Sequence, residues 1–267
     1  MRSLRPGRII LLIFTFLAFV TLNLSAQKNS EEEYLGKADL YKAKRNLLEY
    51  LSDTVVVRKY GLISDAIWNF AELGMQEFKS SALLIKTLEE EGFIVEKNVA
   101  GMPTCFVATW GSGKPVIGIL GEFDALPMIS QQPLNFVQAP LVDGAPGHGC
   151  GHNMMGTAGV AAVAALKKSM EQNNIGGTIK FFGSPAEETL ISRPYMVRAG
   201  VFRDVAAVID NHASTEFETS YGINGTAVMS VIFSFRGKTA HAAGSPWTGK
   251  SALDGVELMT IASNYLR

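Results

Sequence analysis

Cysteine and histidine are scarce here, at two and four among 267 residues. So few thiols exclude a disulfide framework as the source of stability, and no disulfide is expected. Charge of one sign is also lacking. The formal net charge is −1 and no Lys/Arg run follows the first dozen residues, so nucleic-acid binding is not expected and small soluble substrates fit better. The apolar stretch Ile9–Leu22 falls short of the roughly 20 residues that a membrane helix needs, so no stable membrane span is expected. Internal repeats and low-complexity segments are absent. What is present, 47% hydrophobic and 18% charged residues, suffices for a real core and for more than one folded unit.

Arg2, Arg5 and Arg8 ahead of that apolar stretch, with Leu24, Ser25 and Ala26 before Gln27, follow the plan of a secretory signal peptide. Residues 1–26 are therefore expected to be a leader cleaved near Ala26, and the protein to be exported, periplasmic or secreted. Beyond it, Ala38–Ser52, Ile63–Leu73 and Ser80–Glu91 read as helices, the last with Gly92 as its stop signal. Short strands are expected at Ile94–Lys97, Cys105–Trp110, Val116–Leu120, 178–183 and 206–210. Helices are expected at Thr157–Lys168 and Pro194–Ala199, and a Pro/Gly/Gln-rich loop spans Met128–Asn153. The alternation predicts an α/β fold. From Gly222 the character changes: Thr226–Phe235 reads as an exposed antiparallel strand and Ser251–Leu266 as a helix.

Three apolar runs end in residues that bind metals or move protons. Val116–Leu120 leads to Glu122 and Asp124, Thr178–Phe182 to Glu187 and Glu188, and Ala206–Ile209 to Asp210, Asn211 and His212. In a parallel sheet the carboxyl ends share one edge, where ligands bind, so these residues are expected to converge. Cys150 and His152, two apart around Gly151, are standard zinc donors, and on an extended segment they would face one side. Adjacent Glu187 and Glu188 on extended backbone would point opposite ways and take different roles, although a solvated acidic loop is the ordinary reading of such a pair. Asp124 could orient a histidine from behind, or simply cap a turn. His212 and His241 are lone histidines, and His241 falls in the second unit. A catalytic thiol at Cys150, with His148 or His152 as base, stays open. Cys105, in an apolar run, reads as a buried thiol.

Six motifs in order resemble the aminoacylase/carboxypeptidase family of metallopeptidases, in its amidohydrolase branch with a cysteine metal ligand. They are Glu72-Leu-Gly-Met-Gln-Glu77, Gly121-Glu-Phe-Asp-Ala-Leu-Pro127, Gly147-His-Gly-Cys-Gly-His-Asn153, Pro185-Ala-Glu-Glu188, Asn211-His212 and Gly237-Lys-Thr-Ala-His-Ala-Ala-Gly-Ser-Pro246. The resemblance implies a three-layer, mostly parallel sheet with helices on both faces. It implies a catalytic metal-binding domain over 27–224 and the start of a smaller α+β lid or dimerisation domain over 225–267. It implies two divalent ions, Mn or Zn, with Cys150, His152, Glu188 and His212 as ligands. Glu187 would be the general base, Asp124 would support a ligand, and His241 would reach across a dimer to the oxyanion. Glu122 stands where other branches place a metal-binding histidine. The implied reaction is hydrolysis of an N-acyl amino acid, with p-aminobenzoyl-glutamate the leading candidate, by a homodimer or a pair of related subunits. The family pattern supplies one further histidine ligand after the lid, so this chain is expected to be the N-terminal portion of a longer enzyme or a natural truncation. An inactive subunit-pairing module is the alternative.

Overall fold

The computed structural model describes residues 37–189, 192–216, 219, 222 and 229–266. The expected leader lies outside them. The chain divides into two compact units, Met1–Phe217 and Glu218–Arg267. No helix among the described residues is long and apolar enough to cross a membrane.

Helix α1 (Lys37–Ser52) is followed at once by α2 (Thr54–Phe70). Helix α2 begins earlier than the pattern at Ile63 suggests because Asp53 caps it. Its Oδ1 accepts the backbone N–H groups of Val55 at 2.8 Å and Val56 at 3.3 Å. A cap stabilises a helix by about 1 kcal/mol, which offsets part of the roughly 2 kcal/mol helix penalty of the β-branched run Thr54–Val57. Burial of Tyr60, Ile63 and Ile67 then holds the helix down. Helix α3 (Phe78–Glu90) borrows its cap from the preceding loop. The Glu72 carboxylate accepts the N–H groups of Lys79 at 3.0 Å and Ser80 at 2.8 Å, and the Ser80 hydroxyl at 2.7 Å.

Five strands follow: β1 (Ile94–Lys97), β2 (Phe106–Ser112), β3 (Val116–Glu122), β4 (Gly177–Ser184) and β5 (Ala207–Ile209), in the spatial order β1-β2-β4-β3-β5. Strand β2 is antiparallel to β1 and β4, whereas β3 is parallel to both β4 and β5. Four strands thus run one way and only β2 opposes them. The register pairs Glu122 with Ser184 and Ile119 with Ile209, so the carboxyl ends of β3, β4 and β5 form the common edge that the sequence implied.

Both faces of the central strands β2, β4 and β3 are covered, while the edge strands β1 and β5 are largely exposed. Phe106, Ile119 and Phe181 point to one face, against Ile67, Leu84, Leu88, Val160 and Val163 of the helices. Val107, Leu120 and Phe182, each one residue along, point to the other, against Met102, Cys105 and Met196 of α5 (Ser192–Arg198). Successive side chains alternate across a strand, so two-sided burial needs continuous apolar runs, as β3 and β4 show. Each fully buried Phe is worth roughly 1.5–3 kcal/mol of burial. Helix α4 (His152–Asn173) lies tight on the end of β3. A Cβ on Gly156 would sit 2.6 Å from the Glu122 carbonyl oxygen, and one on Gly121 2.6 Å from Phe181 Cζ.

In the second unit, helix α6 (Ala252–Asn264) is capped by Ser251, whose Oγ accepts the Asp254 N–H at 3.1 Å. The strand expected over 226–235 is not seen where it is described. Residues 229–235 form no strand, and 226–228 lie outside the described residues. A strand is held by its ladder partner, and the described residues of this unit offer only the single bridge Lys238–Lys250.

Candidate metal centre

Asp124 follows β3 directly and His152 opens α4, so the tight α4–β3 packing brings the two together. His152 is fully buried, and its Nδ1 lies 3.0 Å from Asp124 Oδ1. A carboxylate accepts, so Nδ1 carries the proton and Nε2 turns toward the strand edge. Burial alone would lower the His152 pKa, but the Asp124 hydrogen bond and charge, with Cys150 and Glu188, outweigh it and raise the group to about 9. The second oxygen of Asp124 accepts the Glu188 N–H at 2.9 Å. One carboxylate therefore fixes both an imidazole and the loop that carries the glutamate pair.

On the other side of the cleft, Cys150 Sγ and His212 Nε2 are 3.3 Å apart. His212 Nδ1 lies 2.8 Å from the Ala213 carbonyl oxygen, which can only accept. His212 thus directs its Nε2 toward Cys150. One donor atom each from Cys150, His152 and His212 lies within 4.8 Å of the others, and a second such group comprises Glu122, His152 and Glu187. His152 belongs to both.

The local backbone differs from the extended segments inferred for these ligands. Gly151 adopts a left-handed conformation, φ +81°, immediately before α4, and that turn lets Cys150 and His152 approach one point. Residues 187–189 form a turn after Ala186, itself at φ +53°. Glu77, fully buried, holds that turn: its Oε1 accepts the Ala186 N–H at 2.7 Å and its Oε2 the Thr104 hydroxyl at 2.8 Å. Burial raises the Glu77 pKa. Glu187 Oε2 reaches to 3.9 Å from His152 Nε2. Glu188 lies beside Cys150, outside both ligand groups, with Oε1 buried and without a partner.

Arg193 was not singled out by sequence reasoning. It pairs with buried Glu122 and, at 3.4 Å, with Asp210. The available signal was Glu122 itself, a carboxylate ending an apolar strand, which must find a cation if buried. His148 Nε2 is 3.1 Å from the Ile67 carbonyl oxygen, tying its loop to α2. Cys105 is a buried free thiol pushed up to about 12 by burial. His241 lies in the second unit, where its Nδ1 accepts the N–H of Gly244 at 2.9 Å.

The donor set suits a divalent cation. His152 Nε2 and Glu122 Oε2 approach to 2.9 Å without forming an aligned hydrogen bond, so both remain buried and unpartnered, as does Glu188 Oε1. Buried orphans of this kind cost about 1–3 kcal/mol each and are expected where a ligand completes the set. Thiolate, imidazole and carboxylate together are zinc or manganese donors.

The sequence profile of peptidase family M20/M25/M40 matches residues 118–253, just over half of the chain. The chain belongs to this family. Among M20 relatives, a p-aminobenzoyl-glutamate hydrolase subunit of Escherichia coli (strain K12) is 42% identical over 83% of this chain and 46% of its own length. The Xaa-Arg dipeptidase of Mus musculus is 30% identical over 90% of this chain and 54% of its own. The chain thus spans about half the length of these curated relatives. Bacillus subtilis YXEP, described as a dinuclear metal-binding M20 peptidase, is 27% identical with TM-score 0.49, over 59% of this chain and 43% of that one.

Proposed function

We propose that this chain is the metal-binding catalytic part of an amidohydrolase cleaving the amide bond of an N-acyl amino acid, with p-aminobenzoyl-glutamate the leading candidate. One observation carries the reading: two groups of ligand atoms, sharing His152, at the common strand edge. Cys150, His152 and His212 would hold one divalent ion, Mn or Zn, with Glu188 beside Cys150, and Glu122, His152 and Glu187 stand beside a second. Bound cations would polarise the amide carbonyl and lower the pKa of the attacking water.

The chain's own residues supply positioning and proton movement. Asp124 holds His152 with Nε2 aimed at the cleft. Glu187, partly exposed, can meet water from solvent. Burial raises its pKa, though the nearby His152 works against that, and a carboxylate so raised is a stronger base. Glu187 would take the proton from water at its carboxylate and return it to the departing amine. Residues 27–224 form the catalytic domain in this reading, and 225–267 begin a lid that carries His241 to the oxyanion in a dimer or related-subunit pair. Export behind a cleaved leader completes the proposal.

The test is to load the full-length protein with Mn²⁺ or Zn²⁺ and follow p-aminobenzoyl-glutamate cleavage. Glu187→Gln should lose about 10²–10⁴-fold in kcat while the ion at Cys150, His152 and His212 is retained. Activity that survives complete chelation would overturn the reading in favour of a thiol hydrolase.

A further inference from the structure

Beside the metal edge lies a cavity that the catalytic groups do not use. It has a volume of about 250 Å³ and lies between the end of α2 and the loop after β3, with Trp68, Phe70, Ile129, Leu141 and Pro146 in its wall. The loop's shape is set from within. Gln131 Nε2 donates to the carbonyl oxygens of Asn135 at 3.1 Å and Val137 at 2.8 Å, and its Oε1 accepts the Ala139 N–H at 3.0 Å. No charged residue occurs from Ala125 to Val142. An uncharged, self-braced loop over aromatic side chains is equipment for an apolar ligand.

Its place says which part of a substrate it would meet. His148 and Gly149 line the cavity, and Cys150 follows at one Cα step, about 3.8 Å. The contact is tight. A Cβ on Gly149 would sit 2.4 Å from Ile129 Cδ1, and one on Gly147 2.5 Å from the Ile129 carbonyl oxygen. The ligand-bearing segment and the cavity loop are therefore one packed unit. An enclosed apolar cavity of about 150 Å³ accepts benzene, and this cleft, open along the exposed side chains of Ile129 and Leu141, has room for a substituted ring. On the amidohydrolase reading above, we propose that the cavity is the subsite for an aromatic acyl group, with Trp68, Ile129 and Leu141 selecting substituted benzoyl amides over short aliphatic ones. The amino-acid half of the substrate is then left to other parts of the protein.

Binding tests this without turnover. Neutral 4-aminobenzamide and acetamide are titrated into the protein by ligand-observed NMR, with and without Zn²⁺. Ala145 also lines the cavity, and only its backbone is hydrogen-bonded. Ala145→Phe should plug the cavity and weaken 4-aminobenzamide about tenfold or more, the scale on which apolar pockets discriminate, with Zn²⁺ affinity unchanged. Trp68→Ala, which removes one wall, should weaken it similarly and serves if the plugged variant does not fold. Equal binding of the two amides to the unaltered protein, or undiminished aromatic binding in a folded variant, would overturn the subsite. Failure to bind Zn²⁺ would instead overturn the catalytic reading, since the amide comparison also reads on metal-free protein.

Discussion

Asp124→Asn probes the junction of the site most sharply. Both oxygens of the native carboxylate accept: Oδ1 from His152 Nδ1–H at 3.0 Å and Oδ2 from the Glu188 N–H at 2.9 Å. Asparagine has the same shape but one accepting oxygen. Turned one way, its NH₂ group faces the Glu188 N–H; turned the other, it faces His152 Nδ1, which can accept only if the ring proton moves to Nε2. A buried donor without a partner costs about 1–3 kcal/mol. The second loss is the charge that favours the His152 imidazolium over a burial that opposes it. A neutral ring in its other tautomer limits both losses, so the total for metal-free protein should be about 1–3 kcal/mol. At roughly 2–4 °C per kcal/mol for a domain of this size, Tm should fall by about 2–12 °C. Differential scanning calorimetry of the metal-free chain measures it, with Asp124→Glu as a control that keeps the charge. A Tm within about 1 °C of the unaltered protein would refute the claim that this carboxylate joins helix and loop.

Arg193→Leu removes one of the two cations beside Glu122, which is buried at the end of β3 and keeps His152 Nε2 at 2.9 Å. Arg193 is itself 37% exposed, so the loss should be about 1–3 kcal/mol, and the double variant Arg193→Leu, Glu122→Gln should recover much of it in urea melts. The buried Glu77 gives a pH signature. Its pKa is raised in the fold, so its contribution to stability is complete below the ordinary carboxylate value and is lost as pH rises through the elevated one. Glu77→Gln should therefore gain on the unaltered protein as pH rises from about 5 to about 8, and parallel stability curves would count against the assignment.

The strand-end convergence is legible in the sequence because β3, β4 and β5 read as apolar runs, interrupted by Lys180 in β4, ending in Glu122, Ser184 and Ile209. Helix α4 is legible too, but its pattern starts late, because Gly151-His152 looks like loop until the left-handed glycine is seen as the turn into a helix. Two further things are not legible. Ala186 at φ +53° gives no residue-type signal, so the turn of Glu187 and Glu188 reads as extended chain. Arg193 lies far from Glu122 in sequence, and only folding shows that a buried acid has claimed it. The strand inferred at 226–235 is not formed over its described part, 229–235: alternation marks a surface that could pair, and the described residues of this unit offer no second strand.

Helix α4 meets β3 glycine against main chain, which leaves no slack at the spot where the imidazole is mounted. A single methyl at Gly156 would meet the Glu122 carbonyl oxygen at 2.6 Å and prise the helix off its seat, carrying His152 with it. The place of His152 is thus set by how deeply a helix sits. Change that leaves this imidazole where it is must come through the flanking loops, while this contact stays untouched.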